Sequence, residues 1–269
     1  MVWFNRAMKI ASWNVNSIKA RMPILRGWLE TVQPDVVLLQ ELKGLEFPAE
    51  ELRALGYHSA AVTQKSYNGV AVLSKQPLEV VSTTLAGDDE DSHARFLEVL
   101  IEDALGAGSG PLRVVCLYVP NGNPVGTEKF EYKLRWTDRL IEQMRLWLAE
   151  TTPTVIGGDM NVIPTDMDCH KPASWAKDAL FQPEVKARYA QMLGMGWMDA
   201  FRTLHPDQGG LFTYWDYFRN AFETNRGIRI DHFLLSPALH GRLVGCEIDR
   251  APRMMEKPSD HTPIVMELG

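Results

Sequence analysis

Residues able to do acid–base and metal chemistry fall repeatedly at the ends of apolar runs in this sequence. In IASWNVN two amides, Asn14 and Asn16, stand two apart, and the period-two alternation of a strand puts both on one face at its end. The run VVLLQE ends on Glu41, and VVCLYVPNG ends on Tyr118 and a turn asparagine, Asn121. VIGGDMN brings Asp159 and Asn161, again two apart and on one face. RIDHFLL places Asp231 inside an apolar run, and SDHTPIV sets Asp260 and His261 just before one. Each has an ordinary reading when taken alone. An asparagine forms turns, Glu41 is a solvated strand end or a helix cap, Asp231 is a paired structural acid, His261 is a satisfied histidine, and Tyr118 is a core residue with its hydroxyl bonded. Strands sharing a sheet would instead bring these ends to one rim. Four carboxylates (Glu41, Asp159, Asp231 and Asp260) crowded there would repel one another unless a divalent cation sat among them. An oxygen-rich donor set without cysteine favours Mg²⁺ or Mn²⁺ over zinc. His261, the asparagines and Tyr118 beside it could hold a phosphoryl group and stabilise its transition state. The chemistry expected is metal-assisted hydrolysis of a phosphoester.

The elements that must position these residues follow from the hydrophobic pattern. Strands are expected over 9–15, 35–40, 57–62, 69–74, 96–101, 112–118, 154–157, 230–235 and 262–267, mostly as continuous Val/Ile/Leu runs buried on both faces. Helices are expected over 23–32, 49–55 and, most clearly, 129–149. There Phe130, Leu134, Thr137, Ile141, Met144 and Leu148 recur at steps of four and three, with only Thr137 interrupting the apolar face. Many strands, fewer helices and no strict βαβ alternation favour an α+β domain of two packed sheets with helices outside. The glycine-rich stretch 106–111 lies between two strand runs and opens no helix, so it reads as a hairpin connection and not as a nucleotide loop.

Composition sets the outer limits. The 269 residues carry 28 Lys plus Arg against 34 Asp plus Glu, a net charge of −6, with 45% hydrophobic residues, which excludes intrinsic disorder. No run is long and apolar enough to span a bilayer, so no membrane association is expected. Three scattered cysteines (Cys116, Cys169, Cys246) argue against a disulfide framework or a structural zinc site. The N-terminus has no apolar run before a small-residue cleavage site, so a reducing cytoplasm is the expected compartment. The acidic balance speaks weakly against nucleic acid, but it describes the average surface, and acids gathered around a metal lower it without removing a basic rim.

At these same residues the chain resembles the exodeoxyribonuclease III family of abasic-site endonucleases, within the endonuclease/exonuclease/phosphatase superfamily. The blocks IASWNVNSIKAR, PDVVLLQELK, YNGVAVLSK, YVPNGNPVG, KFEYKLRW, GGDMNVIPTDMDCHKP, GWMDAFR, IRIDHFLLS and SDHTPIV occur in family order from about Lys9 to Leu268. The resemblance implies a deoxyribonuclease-I-like four-layer αββα sandwich with two mixed β-sheets, forming one catalytic domain over 9–269 behind an extension of residues 1–8. It implies a monomer that cuts double-stranded DNA 5′ to abasic sites in a Mg²⁺-dependent reaction, Mn²⁺ also serving, with 3′→5′ exonuclease and 3′-end-processing activity. By position, Glu41 and Asn16 would hold the metal, with Asp159, Asn161, Asp260 and His261 completing the candidate shell. Asp159 would activate water, His261 held by Asp231 would face the phosphate, and Tyr118 and Asn121 would contact it. Asn14 and Asn161 would orient the catalytic acid and the phosphate.

DNA contacts are expected from Lys133, Arg135, Arg226 and Arg229, and a damage pocket from Tyr214, Trp215, Ile228 and Ile230. Some relatives carry Asp at the position of Asn16, where an amide lowers the charge around the cation. Relatives line the pocket with aromatics where this chain has Ile228 and Ile230. Two other readings share the scaffold. One is a phosphatase or phosphodiesterase for inositol phosphates or sphingolipids, and the other is a binding module with no catalysis, which would not need the intact acid set.

Overall fold

The computed structural model describes residues 7–269. The expected extension of residues 1–8 lies largely outside the described residues. Met8, assigned to it, instead opens the first strand and pairs with Leu268.

The first sheet is built from β1 (Met8–Asn14), β2 (Val36–Gln40), β3 (His58–Val62), β4 (Val70–Ser74), β11 (Leu243–Ile248) and β12 (Ile264–Leu268), in the order β11-β12-β1-β2-β4-β3. The second contains β5 (Glu79–Ser82), β6 (Phe96–Ile101), β7 (Leu112–Tyr118), β8 (Thr154–Asp159), β9 (Met198–Asp199) and β10 (Asp231–Leu235), in the order β5-β6-β7-β8-β10-β9. Each sheet is mixed. Its central pair is parallel, β1 with β2 and β7 with β8, and its remaining pairings are antiparallel. Strand alternation explains the layering. Val36 and Leu38 of β2 join the core between the sheets, while Val37 and Leu39 pack outward under α1 (Ile18–Val32) with Leu25, Trp28 and Leu29. In the second sheet, Val114 and Cys116 point inward. Val115 and Leu117 pack outward against α3 (Glu128–Glu150), whose neighbour is α4 (Pro183–Gly194). The result is the expected αββα sandwich, completed by the short helices α2 (Ala49–Ala54) and α5 (Ala200–Leu204). The glycine-rich stretch 106–111 connects the antiparallel pair β6 and β7, as expected.

The end of β8 requires its glycine. A Cβ on Gly157 would meet Phe233 Cε1 at 2.5 Å and Leu38 Cδ2 at 3.1 Å, so the inner face of β8 takes no side chain just before Asp159. The sheets thereby close up under the rim where the polar residues emerge.

Helix α3 sits differently from its expected orientation. Its buried face is Phe130, Lys133, Trp136, Thr137, Leu140, Ile141, Met144 and Trp147, whereas Leu134 and Leu148 are only half-buried. The true stripe also runs at steps of three and four but is rotated, and it carries a lysine into the interior.

Arg229, expected at the DNA, is fully buried and lies in an ion network instead. Its Nε donates to Asp168 Oδ1 (2.7 Å), its Nη2 to Asp199 Oδ2 (3.0 Å) and its Nη1 to His232 Nδ1 (2.9 Å). Burial, with the Arg229 charge adding to it, pushes His232 down to about 4, so the ring is neutral and its Nε2–H donates to the Val162 carbonyl at 3.0 Å. Removing the guanidinium would leave buried Asp199 without its arginine and buried Asp168 with Arg202 alone, which pairs with it at 2.5 Å. Arg229→Leu should cost about 3 kcal/mol or more and lower the melting temperature by roughly 10 °C. It should leave the salt dependence of DNA binding per folded molecule unchanged, and a flattened salt slope would return Arg229 to the DNA face.

Candidate active site

Both parallel strand pairs deliver their polar residues to the same rim. Asn14 pairs with Gln40 at the end of the first, immediately before Glu41. Tyr118, Asp159 and Asp231 form one row across the second, Asp159 pairing with both neighbours. Asn14 joins the two sheets: its Nδ2 donates to Glu41 Oε1 (2.8 Å) and to Asp159 Oδ2 (3.0 Å). One neutral amide therefore separates two carboxylates.

His261 closes the group. Its Nδ1–H donates to Asp231 Oδ2 at 2.8 Å, and its Nε2 stands 3.7 Å from Asp159 Oδ2. Burial works against charge on this ring, but Asp231, through its charge and hydrogen bond, together with Asp159 and Asp260, raises it to about 10. At neutral pH it is an imidazolium. Burial pushes Asp159 up to about 7, Asp231 and Glu41 adding to the rise and His261 opposing it. Glu41 goes the other way. Burial would raise it, yet the Lys43 ammonium, with Asn14 and His261, holds it below the ordinary glutamate value. Tyr118 stays neutral because burial and the charges of Glu41 and Asp159 raise its hydroxyl well above the usual range. The guanidinium of Arg95 lies over its ring at 4.7 Å.

These residues open on a cavity of about 400 Å³. Glu41, Tyr118, Asp159, Asn161, Asp260 and His261 form its chemical wall, and Asn121, Asn123, Trp175, Asp178, Tyr214, Ile228 and Ile230 lie around it. Tyr214 stands edge-on to His261, with ring centroids 5.0 Å apart. Glu41, Asp159 and His261 each offer a donor atom within 4.8 Å of the others. A buried acid pushed up to about 7 beside a second carboxylate is an excess of negative charge that a divalent cation relieves, so the oxygen donors fit such an ion. His261, the third member of that group, is tied through Nδ1 to Asp231.

Other expected assignments need correction for equally local reasons. Asn14 is fully buried and both its amide hydrogens are engaged, so it orients Glu41 and Asp159 and does not meet substrate. The Asn161 amide donates to the Val119 carbonyl (2.8 Å) and accepts from Asn121 Nδ2 (3.1 Å), which fixes its orientation in the cavity wall. Asn16 and Asp260 bond to each other, Nδ2 to Oδ1 at 2.9 Å, beside the acid cluster. Trp215 is fully buried against Phe212 and Phe222 and does not line the cavity, so it belongs to the core. Arg135 and Arg226 are exposed, as a DNA contact requires. The first pairs with Glu128, and the second bonds Thr224 Oγ1 and the Arg219 carbonyl of its own loop.

Lys133 is fully buried beneath the site and not at the DNA. Its Nζ donates to the carbonyls of Asn121 (3.0 Å) and Asn161 (2.5 Å), and its stem fills the space against Gly122, where a Cβ would meet Lys133 Cδ at 2.5 Å. It bolts α3 to the two loops that present those asparagines. Burial lowers its ammonium to about 7. Lys133→Met should therefore lower turnover about tenfold or more through misplaced asparagines while leaving the slope of binding against salt unchanged. Arg135→Ala and Arg226→Ala should each flatten that slope by about one phosphate contact or less. Fluorescence anisotropy across a salt series separates the two groups.

Sequence reasoning missed several participants. Lys43, two residues after Glu41, pairs with it at 2.7 Å. Ser259 ties the Asn14 carbonyl (2.7 Å) to the His261 N–H (3.2 Å). Arg95, Trp175 and Asp178 approach from loops whose composition carries no periodic signal. Lys43 and Ser259 had one usable sign, adjacency to a site residue.

A two-sheet sandwich with paired carboxylates, a protonated histidine and a seat for a divalent cation at one rim defines the class of metal-dependent phosphoester hydrolases. The family model described as Endonuclease/Exonuclease/phosphatase family matches residues 11–261. The chain is 36% identical over 97% of its length to the exodeoxyribonuclease III of Haemophilus influenzae, covering 99% of that protein. Among solved structures it superposes on an AP endonuclease from Archaeoglobus fulgidus with a TM-score of 0.90 and 35% identity, covering 97% of this chain and 99% of that one. It superposes on the 3′ phosphatase NExo from Neisseria, solved with a product DNA hairpin, with a TM-score of 0.92 and 33% identity, covering 98% and 100%. The chain belongs to the endonuclease/exonuclease/phosphatase family, in its exodeoxyribonuclease III branch. Among the described residues no helix is long and apolar enough to cross a membrane.

Proposed function

We propose that this protein is a Mg²⁺-dependent DNA repair nuclease that acts as a monomer in the cytoplasm. It hydrolyses the phosphodiester 5′ to an abasic site and also removes nucleotides and blocking groups from 3′ ends. The observation that carries the reading is the Glu41–Asn14–Asp159–His261–Asp231 chain of contacts, which sets a proton acceptor and a cationic donor on one cavity wall.

Asp159 takes a proton from the attacking water, a task suited to a carboxyl raised to about 7. As water adds to phosphorus, the bond to the 3′ oxygen breaks and that oxygen takes a proton from solvent, leaving a 3′-hydroxyl and, on the abasic sugar, a 5′-phosphate. His261, donating through Nε2–H, and neutral Tyr118 stabilise the charge that builds on the phosphoryl oxygens. Asn121 and Asn161, held by Lys133, fix the wall beside it. A divalent cation held by Glu41 and Asp159 would supply Lewis-acid neutralisation of that charge. Tyr214, Ile228 and Ile230 receive the extruded sugar, whose missing base lowers the cost of leaving the helix.

The test is a labelled duplex with one abasic analogue, incubated with Mg²⁺, its product ends mapped, and inositol phosphates run in parallel. A single cut 5′ to the abasic position is the expected product. Turnover of the small phosphoesters with intact DNA would replace this reading by that of a small-molecule phosphatase.

A further inference from the structure

Lys43 is not needed by the chemistry above, yet it is the basic group nearest the metal seat. Its Nζ lies 2.7 Å from Glu41 Oε2 and 2.5 Å from Asn16 Oδ1. Asn14 already occupies the other oxygen of Glu41, at 2.8 Å. The assignment of the Asn16 amide is fixed by its neighbours. An ammonium demands the oxygen on one side, and on the other the nitrogen donates to Asp260 Oδ1 (2.9 Å) and the Tyr217 hydroxyl (3.2 Å).

The backbone is built to hold this bridge. Asn16, Glu41 and Lys43 all adopt left-handed conformations, with φ of 46°, 55° and 54°. Such conformations are uncommon for residues with a side chain and persist where surrounding contacts impose them. Those contacts are visible. Ser17 N–H donates to the Glu41 carbonyl (2.8 Å), Ile18 N–H to the Leu42 carbonyl (3.2 Å) and Lys43 N–H to the Asn68 carbonyl (3.0 Å), joining three loops. A carboxylate at position 16 would also hold the ammonium but would face Asp260 as a like charge. The amide is what lets one residue bond a cation and an acid together.

We infer that Lys43 is a resident cation of the metal seat, that Asn16 is the positioning residue that holds it there and is not a metal ligand, and that the pair weakens divalent-ion binding in the free protein. Two charges of the same sign drawn to one carboxylate oppose each other, and the net charge of the donor set controls affinity for a hard cation. With Lys43 on Glu41, the ion is held weakly until a substrate phosphate adds its own oxygens. The inference rests on the metal-dependent reading given above, and it concerns the affinity of the seat.

The experiment titrates Mn²⁺ into the full-length chain without DNA, following free ion by electron paramagnetic resonance, with thermal melting at each concentration. Lys43→Met and Lys43→Gln, the latter able to keep a bond to Asn16 if the former folds poorly, should each tighten Mn²⁺ binding about tenfold as the net donor charge rises. Lys43→Arg, which keeps the charge, should stay within about twofold. Metal-free Lys43→Met should melt below the wild type and gain more from added Mn²⁺. Unchanged or weaker binding in both neutral variants would overturn the resident-cation role. Glu41→Gln marks the seat itself. If neither the wild type nor the neutral Lys43 variants bind Mn²⁺, or if binding survives the Glu41 substitution, the metal reading fails and takes this inference with it.

Discussion

Asp159→Asn should reduce single-turnover cleavage of an abasic duplex about a thousandfold or more, within the range lost when a positioned proton acceptor is removed. DNA binding should change only a few-fold. The side chain is almost completely buried, so the near-isosteric amide keeps the volume while losing the ability to accept a proton, and its Nδ2 must face either the Asn161 N–H or the Asn14 amide, both of which donate to the wild-type carboxylate. Its loss falls on the transition state, not on ground-state binding. The pH dependence carries the sign. An acceptor raised to about 7 must be ionised to work, so wild-type cleavage should fall as the pH drops through an apparent value at or below 7. A divalent cation favours the ionised form and should move that limb to lower pH as its concentration rises. Asp159→Asn should lack the limb altogether. Near-normal single-turnover cleavage by this variant would remove Asp159 from the reaction.

His261→Asn should cost about a hundredfold to a thousandfold in turnover, the magnitude for deleting one donor to the charge of a transition state. Asp231→Asn should cost less, and its deficit should depend on pH. Burial alone would push the His261 proton off, and the charge and hydrogen bond of Asp231 are the largest influences opposing it. Without Asp231 the ring titrates at a lower pH. The variant should then approach wild type in acid and lose activity as the pH rises, whereas His261→Asn should be impaired throughout. The same pair has a stability signature. The folded ring keeps its proton to about 10 while an unfolded histidine releases it near 6.5, so the stabilisation is full below 6.5 and is lost as the pH rises through 10. Melting curves of wild type and Asp231→Asn should accordingly converge toward alkaline pH. Equal deficits for the two variants at every pH would show that Asp231 does more than orient and charge the ring.

The residues mistaken for DNA contacts show where sequence pattern loses its hold. On α3, stripes one residue apart are both apolar, because Leu134 and Leu148 are as hydrophobic as Leu140 and Trp147. Only the packing of the helix on β7 and β8 decides that Lys133, not Leu134, faces inward, and its two carbonyl partners come from loops 12 and 28 residues away. Arg229 looked like a surface cation because its partners, Asp168 and Asp199, lie 61 and 30 residues earlier in the chain. Trp215 follows a true pocket residue, Tyr214, but adjacent residues of an extended segment point to opposite sides. It therefore enters the core while Tyr214 meets His261.

What the sequence determined by itself was the inventory and the rim: the buried strands, the αββα class, and the acids, amides and histidine that their ends would carry. Those features are local, since period-two alternation and the polar residue closing an apolar run are properties of neighbouring positions. The tertiary structure alone decided the charge states and the division of labour. Asp159 is raised because burial and its neighbours Asp231 and Glu41 converge on it, and His261 is cationic because Asp231 and Asp159 stand on either side of its ring. Asn14 and Asn16 connect their neighbours because partners from separate segments of the chain, Glu41 and Lys43, Asp159, and Asp260, converge on them. Electrostatic interaction depends on distances through space, and for these groups the distances are set by strand pairing across the two sheets.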